Sequence, residues 1–292
     1  MRECENDKNA KMKQTEKGII LLLIFSMLFF ELLAQSKKQF IQGVQDYQNS
    51  VKLMHWKTGD NITGKLSFDI DTNTFSPSAY LSYFNKLRLS ENATPEYIFM
   101  DNSLDGSPIL YVVKDNSEIQ AYYEKMMTEY FPKNDTSSLN EEVKAWHKKG
   151  ALIGFASDSL NNLRFNTTPE NSKSRFLQYL FMNIHGESFA LHWHSNYGLS
   201  HVITSKKELK KYFNKYNENI FEINEIGLDS LMNQKPDIKI KRNKDKCMIT
   251  WYEFAPFAGY LQYIYSVERV APYRINLERK KLLIGVTPII IF

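Results

Sequence analysis

The sequence predicts an α+β fold, with two similar helix/β-hairpin/helix modules followed by a C-terminal antiparallel β-meander. Three observations carry this expectation. Apolar residues recur at helical spacing in several segments before residue 217. Two capping signals, Asp115-Asn-Ser-Glu118 and Ser205-Lys-Lys-Glu208, each follow a pair of strand-like runs. From Asp237 onward the pattern changes to consecutive strands punctuated by turn residues.

Near the N-terminus Lys11, Lys13 and Lys17 precede an apolar run from Gly18 to Phe30 broken only by Ser26, and Glu31-Leu-Leu-Ala34 follows. A basic stretch, an apolar core and a small terminal residue describe a secretory signal over residues 1–34, with Met12 as a possible true start. An uncleaved N-terminal membrane anchor is the alternative, although spanning a bilayer takes roughly 20 apolar residues and this run is shorter. The expected location is therefore periplasmic or secreted, in a bacterial cell envelope, with no membrane span after cleavage. The segment holds five basic and five acidic residues, so its loss leaves the net charge at +4. It also removes Cys4 and leaves Cys247 alone. A single cysteine forms no internal disulfide, so the mature fold must hold by packing.

Residues 35–235 read as the α+β body. Gln39 to Trp56 carries Phe40, Ile41, Val44, Tyr47, Val51 and Met54 at helical spacing. Lys65 to Ile70 alternates as a short strand. Ser76-Pro77 offers an N-cap with proline at the first helical position, and Tyr80, Leu81, Phe84 and Leu87 continue that helix. Tyr97–Met100 and Ile109–Val113 form a hairpin around a polar turn, and the helix opened at Asp115 runs to about Phe131.

The same order recurs about 90 residues later. Ala151–Ala156 reads as a strand and Phe176–Met182 as a helix. Glu187–His194 and Ser200–Thr204 read as a second hairpin around Asn196-Tyr-Gly198, and a helix follows with Leu209, Tyr212, Phe213 and Tyr216. The shift places Glu118 on Glu208 and Tyr122-Tyr123 on Tyr212-Phe213, as an internal duplication would. Residues 236–292 then form the antiparallel sheet, expected to pack on the same domain. Its strands are Asp237–Arg242, Cys247–Phe254, Tyr260–Val270, Tyr273–Leu277 and Leu282–Phe292.

The 292 residues are 43% hydrophobic and 24% charged, which excludes wholesale disorder. The modest net charge argues against nucleic acid as a partner. No G-x-S-x-G, P-loop or G-x-G-x-x-G motif occurs, so acyl-hydrolase and nucleotide chemistry lose their usual support. Four glycosylation-type sequons, at Asn61, Asn92, Asn134 and Asn166, are about what this composition gives by chance.

Two candidate sites remain. If Tyr197-Gly198 is a two-residue turn, position 194 pairs with 201, and His192, His194 and His201 share one strand face. Three neutral imidazoles could then hold zinc or copper with a position open for water, the basis for a metal-dependent hydrolase. No cofactor is otherwise expected. The second candidate is aromatic: Trp251, Tyr263 and Tyr265 on adjacent strands could stack against a peptide or sugar ring if the sheet is open. Lysines along 206–215 and the basic run from Lys239 to Lys246 are the solvated-face pattern, or a contact for an anionic partner. No motif carries a family assignment. The leading expectation is an exported, non-enzymatic binding or interaction protein, with an envelope protein, peptide or glycan as partner. It would use the aromatic sheet or a cleft between the paired modules. The alternative is the histidine-based hydrolase.

Overall fold

A computed structural model describes residues 36–56, 67–101, 105–115, 117–130, 141–170, 172, 174–217 and 236–285. The expected signal segment, residues 1–34, and the tail from Val286 to Phe292 lie outside them. The chain divides into Met1–Phe40 and a larger unit, Ile41–Phe292. No helix among the described residues is long and apolar enough to cross a membrane. The α+β class and the antiparallel C-terminal meander are as the sequence predicts.

Helix α1 spans Lys37–Ser50. At its start Ser36 Oγ accepts from the Gln39 N–H while Gln39 Oε1 accepts from the Ser36 N–H, a reciprocal cap. The helix stops well short of Trp56, at Ser50, whose Oγ donates to the Tyr47 carbonyl at 2.7 Å. Residues Leu53–Trp56 form β1 instead, paired antiparallel with β2 (Ser67–Ile70). Helix α2 (Pro77–Ser82) starts where expected, with Ser76 Oγ accepting from the Ala79 N–H. It ends sooner than predicted, since Leu87–Leu89 forms strand β3.

The predicted hairpin is β4 (Thr94–Asp101) and β5 (Asp105–Val113), in continuous register from Thr94↔Val113 to Asp101↔Gly106. Its even-numbered β4 face is covered by α3 (Ser117–Tyr130) and α4 (Glu141–Ser157). Ile98, Ile109, Tyr111 and Val113 bury there against Phe155 and Ala156, with Ile119, Tyr122 and Leu152 at the margin. The expected strand Ala151–Ala156 is thus the last turns of α4. Leu152, Phe155 and Ala156 recur at helical spacing toward the hairpin, a period that a six-residue apolar run is too short to reveal.

A 3-10 turn (Leu163–Asn166) and β6 (Thr167–Pro169), which pairs with β3, lead into α5 (Arg175–His185). Asn166 is buried, and its amide donates to the carbonyls of Leu160 and Asn162, so this sequon is a packing residue.

The second predicted hairpin does not close. Strand β7 (His192–Trp193) joins β5, while β8 (His201–Val202) joins the C-terminal sheet, with a 3-10 turn, His194–Gly198, between them. Each short strand finds a longer strand edge, and those non-local ladders replace the local turn. The caps do recur. Glu118 Oε2 accepts from the Lys114 N–H ahead of α3, and Glu208 Oε2 accepts from the Thr204 N–H ahead of α6 (Lys206–Asn217).

The C-terminal sheet runs β9 (Lys239–Arg242), β10 (Lys246–Ala255), β11 (Gly259–Glu268) and β12 (Ile275–Ile284). Strands β8 and β9 share one edge of β10, β11 holds the other, and β12 pairs with β11. The two segments expected at Tyr273–Leu277 and from Leu282 merge into β12, through a register shift near Ile264. Gly259, at φ 101°, turns β10 into β11, where a Cβ would meet the Ile284 carbonyl oxygen. On one sheet face lie Cys247, Ile249, Trp251 and Glu253, opposite Val267, Tyr265, Tyr263 and Leu261. Helix α5 packs on that face, with Phe181 and His185 against Trp251. On the other face α6 buries Leu209, Tyr212 and Phe213 against Tyr252, Phe254 and Tyr260.

Candidate functional site

The candidate site is a cleft of about 580 Å³ beside the first hairpin. Strand β4 is an edge strand, with β5 on one side only in its sheet, and α3 and α4 pack on its face. The gap is lined by Ile98, Phe99, Ile119, Tyr123 and Leu152, together with the charged residues Asp69, Lys148 and Lys149. Gln120 and the phenol of Tyr97 add uncharged polar groups to the lining. That phenol donates weakly to the Ile70 carbonyl, 3.4 Å away, and Phe75 meets its ring edge-on at 4.9 Å. Burial pushes the Tyr97 hydroxyl up, and the carboxylates of Asp69, Asp71 and Glu96 push it further, so it stays a neutral donor. Apolar walls with charges of both signs suit a ligand with an apolar body and two opposite charges.

Two buried polar centres frame the fold around α5. In the first, Glu253 on β10 is 3% exposed. Its Oε1 lies 3.0 Å from His185 Nε2, and its Oε2 accepts from Ser200 Oγ at 2.7 Å. Burial alone would raise this carboxyl. The charge and hydrogen bond of His185, with the Ser200 bond, outweigh burial and hold it below the usual carboxylate range. Here the carboxylate sits between serine and histidine. A nucleophilic serine needs the imidazole on its own hydroxyl, so this order of contacts is a structural clamp rather than a triad.

In the second centre Glu187 accepts the Leu110 N–H at 2.8 Å and pairs with the Arg164 guanidinium. Burial pushes Glu187 up more than Arg164 and its hydrogen bonds bring it down. Nearby, Gln48 donates to the Tyr80 hydroxyl and the His185 carbonyl, and Tyr80 donates to the Gly186 carbonyl. The C-terminus of α5 is held by side chains from α1 and α2.

The predicted histidine face depends on a pairing of 194 with 201 that the chain does not adopt. His192 lies in β7, opposite Gly106. His194 is exposed in the 3-10 turn. His201 lies in β8 opposite Phe254, buried, with its ring stacked 4.1 Å from that of Tyr212. Among the described residues no group of three or more His, Cys, Asp or Glu is placed to hold a metal ion.

The aromatic trio does share a face, as alternation requires, but it does not form an open patch. Trp251 is fully buried and Tyr265 is 7% exposed, because α5 lies over them. Tyr263 is half-buried at the margin, stacked on Tyr265 with Lys280 5.5 Å above its ring. Two of the three are core.

Sequence reasoning missed the cleft, whose residues come from four separate elements, and the Glu253 clamp. The one available signal for the clamp was an acid inside the apolar run Cys247–Phe254. Compared with family models, curated proteins and solved structures, the chain matches none of them.

Proposed function

We propose that this is an exported, non-enzymatic binding protein of the cell envelope whose cleft beside β4 takes short peptide segments. The observation that carries the reading is the cleft's composition, in which Ile98, Phe99, Ile119, Tyr123 and Leu152 line one cavity together with Asp69, Lys148 and Lys149. A peptide bearing an apolar side chain, a cation and an anion matches that composition. The buried aromatics of the C-terminal sheet make a glycan platform there the weaker choice. The clamp geometry of Ser200, Glu253 and His185 likewise favours a binding role over hydrolysis.

The test is calorimetric titration of the protein with the tripeptide Lys-Phe-Glu. Saturable binding is expected, weakened at least about tenfold by Leu152→Trp, which fills the cavity. Reversing a lining charge with Lys148→Glu should weaken it too. Unchanged affinity in both variants, with their melting temperatures intact, would remove the cleft as the site.

A further inference from the structure

At the far end of the sheet face that carries Trp251, three arginines surround Cys247. Arg242 lies directly opposite Cys247 in the β9–β10 ladder, and Val267 lies opposite Cys247 on the other side. Arg269 follows the end of β11, where its N–H donates to the Asp245 carbonyl at 2.9 Å. Arg175 opens α5, the helix that covers this face. The backbone ties each guanidinium in place. Arg242 donates to the Ser172 carbonyl at 3.3 Å, and Arg175 to the Glu170 carbonyl at 3.0 Å. Arg269 donates to the carbonyls of Asn243 and Lys244 at 2.6 and 3.1 Å. The Arg175 guanidinium also sits 4.4 Å over the Phe176 ring, which fixes its direction.

Cys247 itself is fully buried. Burial pushes its thiol up, while the charges of Arg242, Arg269 and Arg175 pull against that shift. Two further groups at this place are buried without a hydrogen-bond partner among the described residues, Ser172 Oγ and Arg269 Nε. Unpartnered buried donors carry a desolvation cost that a ligand acceptor would relieve. The N-terminus of α5 adds to the field: Ser174 makes no side-chain cap, and the helix dipole presents its positive end.

We propose that Arg175, Arg242, Arg269 and Ser172, at the N-terminus of α5, form a binding site for a tetrahedral oxyanion of the phosphate class. Guanidinium forks match phosphate oxygens in geometry and charge, and Ser172 Oγ supplies a neutral donor beside them. The site shares no residue with the cleft beside β4, so either can hold without the other. A phosphate group could be free or belong to a phospholipid headgroup, and the two sources share this recognition chemistry.

The test titrates the full chain with inorganic phosphate at constant ionic strength, which removes general screening effects. Phosphorus NMR line broadening and calorimetry report the binding. Saturable binding at or below about 10 mM is expected, reduced about tenfold or more by Arg242→Gln. Lys211→Gln, on α6, should leave it unchanged. Ser172→Ala is the discriminating variant, since it should weaken phosphate binding while leaving the melting temperature equal or higher. A second arm uses phosphatidylcholine vesicles with and without phosphatidic acid. Vesicle binding that free phosphate competes away assigns the site to a lipid headgroup, and binding of phosphate alone assigns it to a soluble phosphate. No saturable response in either arm, or a response equal in the wild type and in Arg242→Gln, overturns the proposal.

Discussion

Replacing Glu253 with glutamine should be among the most damaging single changes in the molecule, although it preserves shape. The carboxylate is 3% exposed and serves two partners, His185 Nε2 at 3.0 Å and Ser200 Oγ at 2.7 Å. A hydrogen bond to a charged group contributes about 1.5–3 kcal/mol, and glutamine keeps one acceptor oxygen while turning an amide toward the other partner. Removing one member of a buried ionic pair costs about 3–5 kcal/mol in general. Because glutamine retains one bond, the expectation is about 3 kcal/mol, or roughly 6–12 °C in melting temperature for a chain of this size.

The pH dependence has a definite sign. The carboxyl is held below its ordinary value, so its stabilisation is complete above an unfolded pKa of about 4.3 and is lost as pH falls through the folded value. Urea unfolding of the wild type and Glu253→Gln at pH 7 and pH 4 measures both effects. The gap should be widest at pH 7 and narrow in acid. A His185→Gln cycle should give a coupling of about 1–3 kcal/mol. A gap under about 0.5 kcal/mol at pH 7, a gap that widens in acid, or strict additivity would refute the clamp.

Trp251→Ala should cost about 3–5 kcal/mol by urea unfolding, since the indole is fully buried under α5, whereas Tyr263→Ala at the margin should cost under about 1.5 kcal/mol. Equal, small losses would mean that the aromatic face is open after all. Gln45→Ala should cost about 1–3 kcal/mol, because its amide accepts from the Val202 N–H and donates to the Val202 carbonyl, closing the edge of β8. Hydrogen exchange at Val202 should rise with it. Mass spectrometry of the chain after secretory expression should find a new N-terminus at Gln35; an intact leader in all fractions would contradict the expected cleavage.

The parts legible in the sequence are those set by local chemistry. Ser76-Pro77, Asp115-Glu118 and Ser205-Glu208 mark helix starts because their side chains answer backbone donors within the same turn. The pairs β4–β5 and β10–β11 follow from alternation beside turn residues. What escaped the sequence is set by distant partners. His192 and His201 sit in two-residue strands whose mates, Gly106 and Phe254, are far away in the chain, and no local pattern announces them. Ala151–Ala156 is too short a run to separate strand from helix.

The site residues show the same division. Alternation puts Tyr263 and Tyr265 on one face, but only the register with β10 brings Trp251 to it and only α5 covers it. The cleft joins Asp69 of β2 to Lys148 of α4 across four elements, so its charges of opposite sign come into one lining only in the fold. Glu253 reads as an anomaly in an apolar strand until His185 and Ser200 are brought to it.

Methyl-resolved NMR during titration with Lys-Phe-Glu tests the central claim, peptide binding in the cleft beside β4, most directly. The account predicts saturable shifts confined to the methyl groups of Ile98, Ile119 and Leu152, which line the cleft. Shifts centred instead on Leu277 and Leu282 of the exposed strand β12, or no shifts at all, would contradict it.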